Sequence, residues 1–60
     1  MDPIMLVYQA RDETKVETFK YSESLASFTA MLRDFNHPYE IYKYSEEYGY
    51  QRTVRWTARI

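Results

Sequence analysis

Apolar and polar residues alternate near both ends of this chain, and a stretch with a longer period lies between them. Residues 4–10 are largely apolar and predict a strand. The polar residues 11–14 predict a turn, and the β-branched and aromatic residues of 15–21 predict a second strand. We expect these two strands to form a hairpin in which Leu6 pairs with Phe19, although the turn has neither Asn-Gly nor Asp-Gly.

The middle of the chain has the period of a helix. Large apolar side chains recur at spacings of three and four within residues 22–36, which is the stripe that an amphipathic helix buries. These side chains are Leu25, Phe28, Leu32 and Phe35. Ser22 is expected to cap the helix by accepting a hydrogen bond from a backbone N–H of the first turn. Asn36 is expected to end it in a left-handed conformation, and Pro38 prevents its continuation.

Alternation returns in the last third and predicts a closing hairpin with arms at 39–44 and 50–60. Gly49, the only glycine, lies in the connection between them. A loop of two residues ending at this glycine would pair Ile41 with Trp56. A longer loop of four residues would change the partners but keep each side chain on the same side of the sheet. The assignment of faces is therefore safer than the register.

Together these elements predict an α+β fold with the order β-β-α-β-β, in which an antiparallel sheet carries one helix on one face. The 60 residues predict a single domain, residues 1–60. A chain this short buries a small core, and without cysteine it has no disulfide to reinforce that core. Because small domains of this kind often gain stability by association, we expect a homodimer.

One helix can cover only one side of the sheet, so the opposite side is a candidate binding face. The predicted covered side consists of Ile4, Leu6, Phe19, Tyr21, Ile41, Val54, Trp56 and Ala58. The predicted partner-binding or dimer face consists of Met5, Val7, Val16, Tyr42, Tyr44, Arg55 and Arg59. Tyrosine and arginine are enriched at binding hot spots, because each combines contact area with hydrogen bonding. The alternative is that these side chains are simply good strand formers on a solvated sheet.

The charge distribution leaves a second function open. The net charge of −1 argues against both a strongly basic nucleic-acid-binding protein and a heavily acidic DNA mimic. Residues 51–60 nevertheless carry three arginines and no acid. Arginines near aromatic strand residues can bind single-stranded nucleic acid by stacking, although Trp56 is expected to face the helix. A single-stranded nucleic-acid-binding module is therefore the alternative to a protein-binding module.

The sequence indicates no catalytic, metal or membrane chemistry. His37 follows the helix, where a cation would favour the helix dipole, and no nucleophile stands in a recognisable context beside it. One histidine without cysteine cannot form a zinc site, so we expect no enzyme, no metal and no cofactor. No apolar run approaches the length of a membrane span, and the start lacks the features of a signal peptide. We expect a cytoplasmic protein.

Part of the chain resembles small phage-encoded inhibitors of host enzymes, in particular those of uracil-DNA glycosylase. The segments that carry the resemblance are Met5-Leu6-Val7, Lys15 to Tyr21, Ser24-Leu25-Ala26-Ser27-Phe28 and Glu40-Ile41-Tyr42-Lys43. They give a hairpin, a helix and a strand at similar spacing over residues 5–44. The resemblance implies a small, dimeric phage protein that blocks a host enzyme in the host cytoplasm. This chain adds the arm 50–60 and lacks a strongly acidic surface, so no inhibitor residue is transferred to it.

Overall fold

The alternating pattern forms four strands and the pattern of three and four forms one helix within residues 2–59, the part of the chain that the computed structural model describes. The elements are β1 (Ile4–Ala10), β2 (Glu13–Phe19), α1 (Ser22–Asp34), β3 (Tyr39–Ser45) and β4 (Gly49–Trp56). All strand pairs are antiparallel and form one sheet in the order β2-β1-β3-β4. The predicted α+β fold and its β-β-α-β-β order are confirmed.

The first hairpin closes through a tighter turn than the sequence suggests. Its two loop residues, Arg11 and Asp12, both have positive φ, at 53° and 68°. This is the requirement of a type I′ turn, whose twist matches that of the paired strands. The loop lies one residue earlier than expected, so Leu6 pairs with Glu17 rather than with Phe19. Because the partner shifts by an even number of residues, every side chain keeps its predicted face.

The core lies between α1 and the two central strands. Leu6 of β1 and Leu32 of α1 are almost fully buried, with 0% and 1% of their surface exposed. The ring of Phe28 packs edge-to-face on Tyr8 and Phe19, with centroids 5.3 and 5.6 Å apart, a favoured aromatic geometry. The buried side chains are Ile4, Leu6, Tyr8, Thr29, Leu32, Tyr39 and Ile41.

Four side chains that the hydrophobic pattern assigns to the core are instead exposed. Tyr21 and Phe35 flank the two ends of α1 and are 71% and 68% exposed. Phe35 stacks on His37, with 6.2 Å between the ring centroids. Val54 lies on the edge strand β4, which the helix leaves partly open, and is 45% exposed. Ala58 is exposed beyond the end of β4. The covered region of the sheet is thus narrower than predicted.

Asn36 ends the helix as predicted and also holds the end of the chain. Its φ is 58°, in the left-handed region that favours glycine or asparagine at helix ends. Its side-chain Nδ2 donates to the Arg59 carbonyl over 2.9 Å, and its Oδ1 accepts from the Arg59 N–H over 2.7 Å. Position 36 lies opposite 59 in the same register that pairs Tyr39 with Trp56. The side-chain amide of Asn36 therefore extends the hydrogen bonding between β3 and β4 to the segment that follows β4.

The start of the helix differs from the prediction by one position. Ser22 is the first helical residue, and Tyr21 occupies the N-cap position with extended backbone and no side-chain hydrogen bond. The predicted serine cap is therefore wrong. Glu23 lies in the first turn, where its charge is close to the positive end of the helix dipole.

The burial difference between two adjacent helix residues gives a direct test of this core. Leu32→Ala should lower the free energy of unfolding by about 2–5 kcal/mol, since the side chain is fully buried. A domain of this size has roughly 3–9 kcal/mol in total, so much of the variant should be unfolded at 25 °C. Urea denaturation followed by circular dichroism measures the change.

Met31→Ala is the matched control, because Met31 is 42% exposed on the same helix. It should change the free energy of unfolding by about 1 kcal/mol or less. Equal losses in the two variants would contradict the orientation of α1.

Candidate binding face

The side of the sheet opposite α1 has no element packed on it within residues 2–59. Met5 and Val7 of β1 point to this side, because they alternate with the buried Leu6. Val16 of β2 lies opposite Val7, and Tyr42 of β3 lies opposite Met5. An apolar and aromatic band thus crosses three strands. We define the outer face as Met5, Val7, Val16, Glu40, Tyr42, Tyr44, Tyr50, Arg52 and Arg55.

A β-bulge in β4 determines which side chains join the outer face. Ile41 pairs with Val54, but the next residue, Tyr42, pairs with Arg52. Thr53 is therefore the extra residue of a bulge, and its hydroxyl donates to the Ile41 carbonyl over 3.3 Å. One extra residue reverses the alternation, so the two halves of β4 point their even-numbered side chains to opposite sides.

The bulge corrects the predicted faces. Strict alternation places Tyr50 and Arg52 beneath the helix together with Val54 and Trp56. In the structure Trp56 stacks on the buried Tyr39, with centroids 5.7 Å apart, whereas Tyr50 and Arg52 lie on the outer face. Val54, Trp56 and Arg55 lie on their predicted sides, but the argument from loop length does not extend to Tyr50 and Arg52, because it does not allow for a bulge within the strand.

Two tyrosines form the aromatic end of the outer face. Tyr44 of β3 and Tyr50 of β4 are paired across the strands, and their rings meet edge-to-face with centroids 5.3 Å apart. The Tyr50 hydroxyl donates to the Asp2 carbonyl over 2.7 Å. Tyr44 remains 38% exposed. The pair is therefore held in one orientation and still offers ring surface to a partner.

Two arginines and one acid form the charged end. Arg52 donates from Nη1 to Glu40 Oε2 over 2.9 Å, and this hydrogen bond raises the pKa of the guanidinium above its ordinary value. An ion pair this exposed contributes little to stability, so its main effect is to orient Arg52 along the sheet. Arg55 lies directly opposite Glu40 but forms no ion pair within residues 2–59. Its guanidinium is available to a partner.

Arg59 lies beyond the end of β4 and therefore outside the strands of the sheet. The strand β4 ends at Trp56, so the predicted arm to residue 60 is too long, and Ile60 itself lies outside the described residues. The backbone of Arg59 is held by Asn36 at the end of the helix. The other predicted residues of the face, Met5, Val7, Val16, Tyr42, Tyr44 and Arg55, lie together on one side of the sheet.

A shallow cavity lies at the charged end of the outer face. Its volume is about 220 Å³, and Val7, Gln9, Glu40 and Arg55 contribute to its lining. Apolar, amide and charged groups therefore surround one depression that is large enough to receive a partner side chain. The alternation pattern that identifies Val7 and Arg55 also places Glu40 on this side, because it lies two residues before Tyr42. The register adds that Glu40 lies directly opposite Arg55.

Comparisons with known proteins add no family to this description. No family model matches the chain, and neither a curated protein nor a solved structure matches it significantly. Within residues 2–59, no helix is long and apolar enough to cross a membrane. The resemblance to phage inhibitors and the cytoplasmic location remain predictions.

The bulge can be tested by deleting Thr53. This deletion removes only the unpaired residue, so Arg52 should still lie opposite Tyr42 and Tyr50 opposite Tyr44. The variant should fold and retain nuclear Overhauser effects between the rings of Tyr44 and Tyr50.

Deletion of Gln51 is a second test of the same count. Two residues of β4 then separate Tyr50 from Val54, as Tyr42 and Lys43 separate Ile41 from Tyr44, so the bulge should close with Thr53 opposite Tyr42 and the ring contact should again be kept. The bulge would be overturned if the contact between Tyr44 and Tyr50 were lost in both deletions.

Proposed function

We propose that this chain is a non-enzymatic binding protein that blocks a partner protein by covering part of its surface with the outer face. The observation that carries the proposal is the arrangement produced by the bulge at Thr53, which adds Tyr50 and Arg52 to a face that already holds Tyr42 and Arg55. The face therefore combines aromatic, apolar and guanidinium groups on a rigid sheet. These are the groups that dominate binding energy at protein interfaces.

The rigidity of the face supports binding rather than a solvated role. Tyr50 is fixed by its bond to Asp2 and its packing on Tyr44, and Arg52 is fixed by Glu40. Side chains that are already ordered lose less conformational entropy when a partner binds. Their contact area therefore contributes more fully to affinity.

The chemistry of the face also indicates the kind of partner surface it fits. Met5, Val7 and Val16 provide an apolar centre, and Arg55 lies beside it without an ion pair in the described residues. A complementary surface would present an apolar patch with a carboxylate at its edge. The resemblance to phage-encoded inhibitors makes a bacterial host enzyme the first class of partner to examine.

Removing one aromatic and one charged group from the face tests this proposal. The double variant Tyr42→Ala plus Arg55→Ala should bind the partner at least about tenfold more weakly, since truncation of two hot-spot residues removes more than about 1.4 kcal/mol. Affinity capture from a bacterial lysate, followed by titration with the captured protein, measures the loss. Circular dichroism should show that the domain remains folded, because both side chains lie outside the core.

The control is Tyr48→Ala plus Arg59→Ala, which removes the same residue types from positions outside the strands that form the outer face. Tyr48 is 67% exposed in the turn before β4, and Arg59 follows the strand. This variant should bind as the unmodified chain does. If the two double variants bind alike, the outer face is not the binding site.

Single-stranded nucleic-acid binding is the second candidate. The observation in its favour is that Arg52, which strict alternation places beneath the helix, lies on the outer face close to Tyr42. Tyrosine rings and guanidinium groups on a sheet can stack on successive bases. Glu40 weighs against it, because this acid lies between the two arginines and would repel a phosphate backbone.

An oligonucleotide titration distinguishes the two candidates. Nucleic-acid binding predicts quenching of tyrosine fluorescence at low salt and an affinity that falls as salt rises. Glu40→Gln should then strengthen binding, because it removes the acid between the arginines. Unchanged fluorescence for both the original chain and this variant would exclude the second candidate.

A further inference from the structure

We propose that the free edge of β2 binds the β2 edge of a second copy of this chain, in antiparallel register with Val16 opposite Val16 of the second copy. The resulting dimer would join two four-stranded sheets into one. This interface is formed by the edge of the sheet and shares only Val16 with the outer face, so the proposal goes beyond the proposed function and does not depend on it.

The backbone of β2 presents the groups that such pairing needs. The Gln9 N–H donates to the Pro38 carbonyl, so the odd-numbered residues of β1 bond toward β3 and the even-numbered ones bond toward β2. The partners of the even-numbered residues are the odd-numbered residues of β2. The N–H and C=O groups of Thr14, Val16 and Thr18 therefore point away from the sheet. Pairing about Val16 would make them three hydrogen-bonded pairs.

The charges of β2 are complementary to themselves in this register. A two-fold axis at Val16 places Lys15 opposite Glu17 of the second copy, and Glu17 opposite Lys15. All these side chains lie on the helix side of the sheet, because Lys15 pairs with Tyr8 and Glu17 with Leu6. Directly opposed strand residues of opposite charge attract, whereas like charges repel. A register shifted by two residues would instead oppose Glu17 to Glu17 or Lys15 to Lys15.

Exposed apolar groups lie on both sides of the same edge. Val16 is 55% exposed on the outer face, and the same residue of a second copy would cover it. On the helix side, Met31 of α1 and Phe35, the residue after α1, form an exposed flank. This flank faces β2, since Phe28, on the same side of the helix, packs on Phe19 while Arg33 on the other side bonds to Tyr39 of β3. The two-fold axis would bring the flanks of both helices toward each other.

The other edge of the sheet is less suited to pairing. β4 contains the bulge at Thr53, and bulges interrupt the regular spacing of edge hydrogen bonds. It also carries Arg52 and Arg55 with no acid between Tyr50 and Trp56, so two copies of β4 would repel each other. β2 pairs with β1 without interruption over all seven of its residues. The dimer is therefore assigned to β2.

Charge reversal followed by mixing tests both the interface and its register. The full chain should sediment in analytical ultracentrifugation with twice the 7.3 kDa mass of one chain. Lys15→Glu places an acid opposite Glu17 of the second copy, and Glu17→Lys places a base opposite Lys15. Each variant turns two attractive pairs into repulsive ones and should weaken the dimer at least about tenfold.

Mixing the two variants in equal amounts should restore the dimer, because every opposed pair is then again of opposite charge. Lys43→Glu is the matched control, since it makes the same change at an exposed residue of β3 away from the edge. It should leave the dimer unchanged. Recovery on mixing also shows that the single variants still fold.

Val16→Pro provides a second, uncharged test. It removes an N–H that points away from β1, so the domain should keep its circular dichroism spectrum and become monomeric. The proposal is overturned if the original chain stays monomeric up to about millimolar concentration, or if its dimer resists Val16→Pro and both charge reversals. It is also overturned if only Tyr42→Ala plus Arg55→Ala dissociates the dimer, because the outer face would then be the interface.

Discussion

The structure depends on the limited reach of one helix of 13 residues over a sheet of four strands. The helix buries Leu6 and Leu32 against the central strands, and it leaves both edge strands partly open. Two further features follow from this narrow cover. The opposite side of the sheet has no cover at all within residues 2–59, and β2 is exposed at nearly every position. A fold of this kind has more strand surface than it can bury by itself.

The sequence predicts those features that depend on local periodicity. The spacing of Leu25, Phe28 and Leu32 identifies the helix, and the alternation in β1 identifies the covered side of the sheet. These patterns recur over several residues, so one error does not remove the signal. The bulge has no such repetition. Thr53 looks like any other strand residue, and its role appears only when β4 is aligned with Ile41 and the residues around it.

The tyrosines show why composition alone could not define the binding face. Tyr39 is buried, stacks on Trp56 and accepts a hydrogen bond from Arg33, so it belongs to the core. Its position two residues before Ile41 is the signal that could have identified it. Tyr44 and Tyr50 lie on the opposite side. Whether a strand tyrosine of this chain lies in the core or on the outer face depends on its position in the alternation of the strand. Its hydroxyl is accommodated in either place when a hydrogen-bond partner is present.

The bulge at Thr53 also allows side chains of opposite sequence parity to share one side of β4. Before it, Tyr50 and Arg52 face outward, where a substitution alters what the surface offers and leaves the packing beneath the helix intact. After it, Arg55 faces outward, while Val54 and Trp56 face inward. The unpaired residue therefore lets Tyr50, Arg52 and Arg55 share one side of the sheet, although their sequence positions differ in parity. Substitutions at these three positions change the chemistry that the strand offers to a partner without touching the stack of Trp56 on Tyr39.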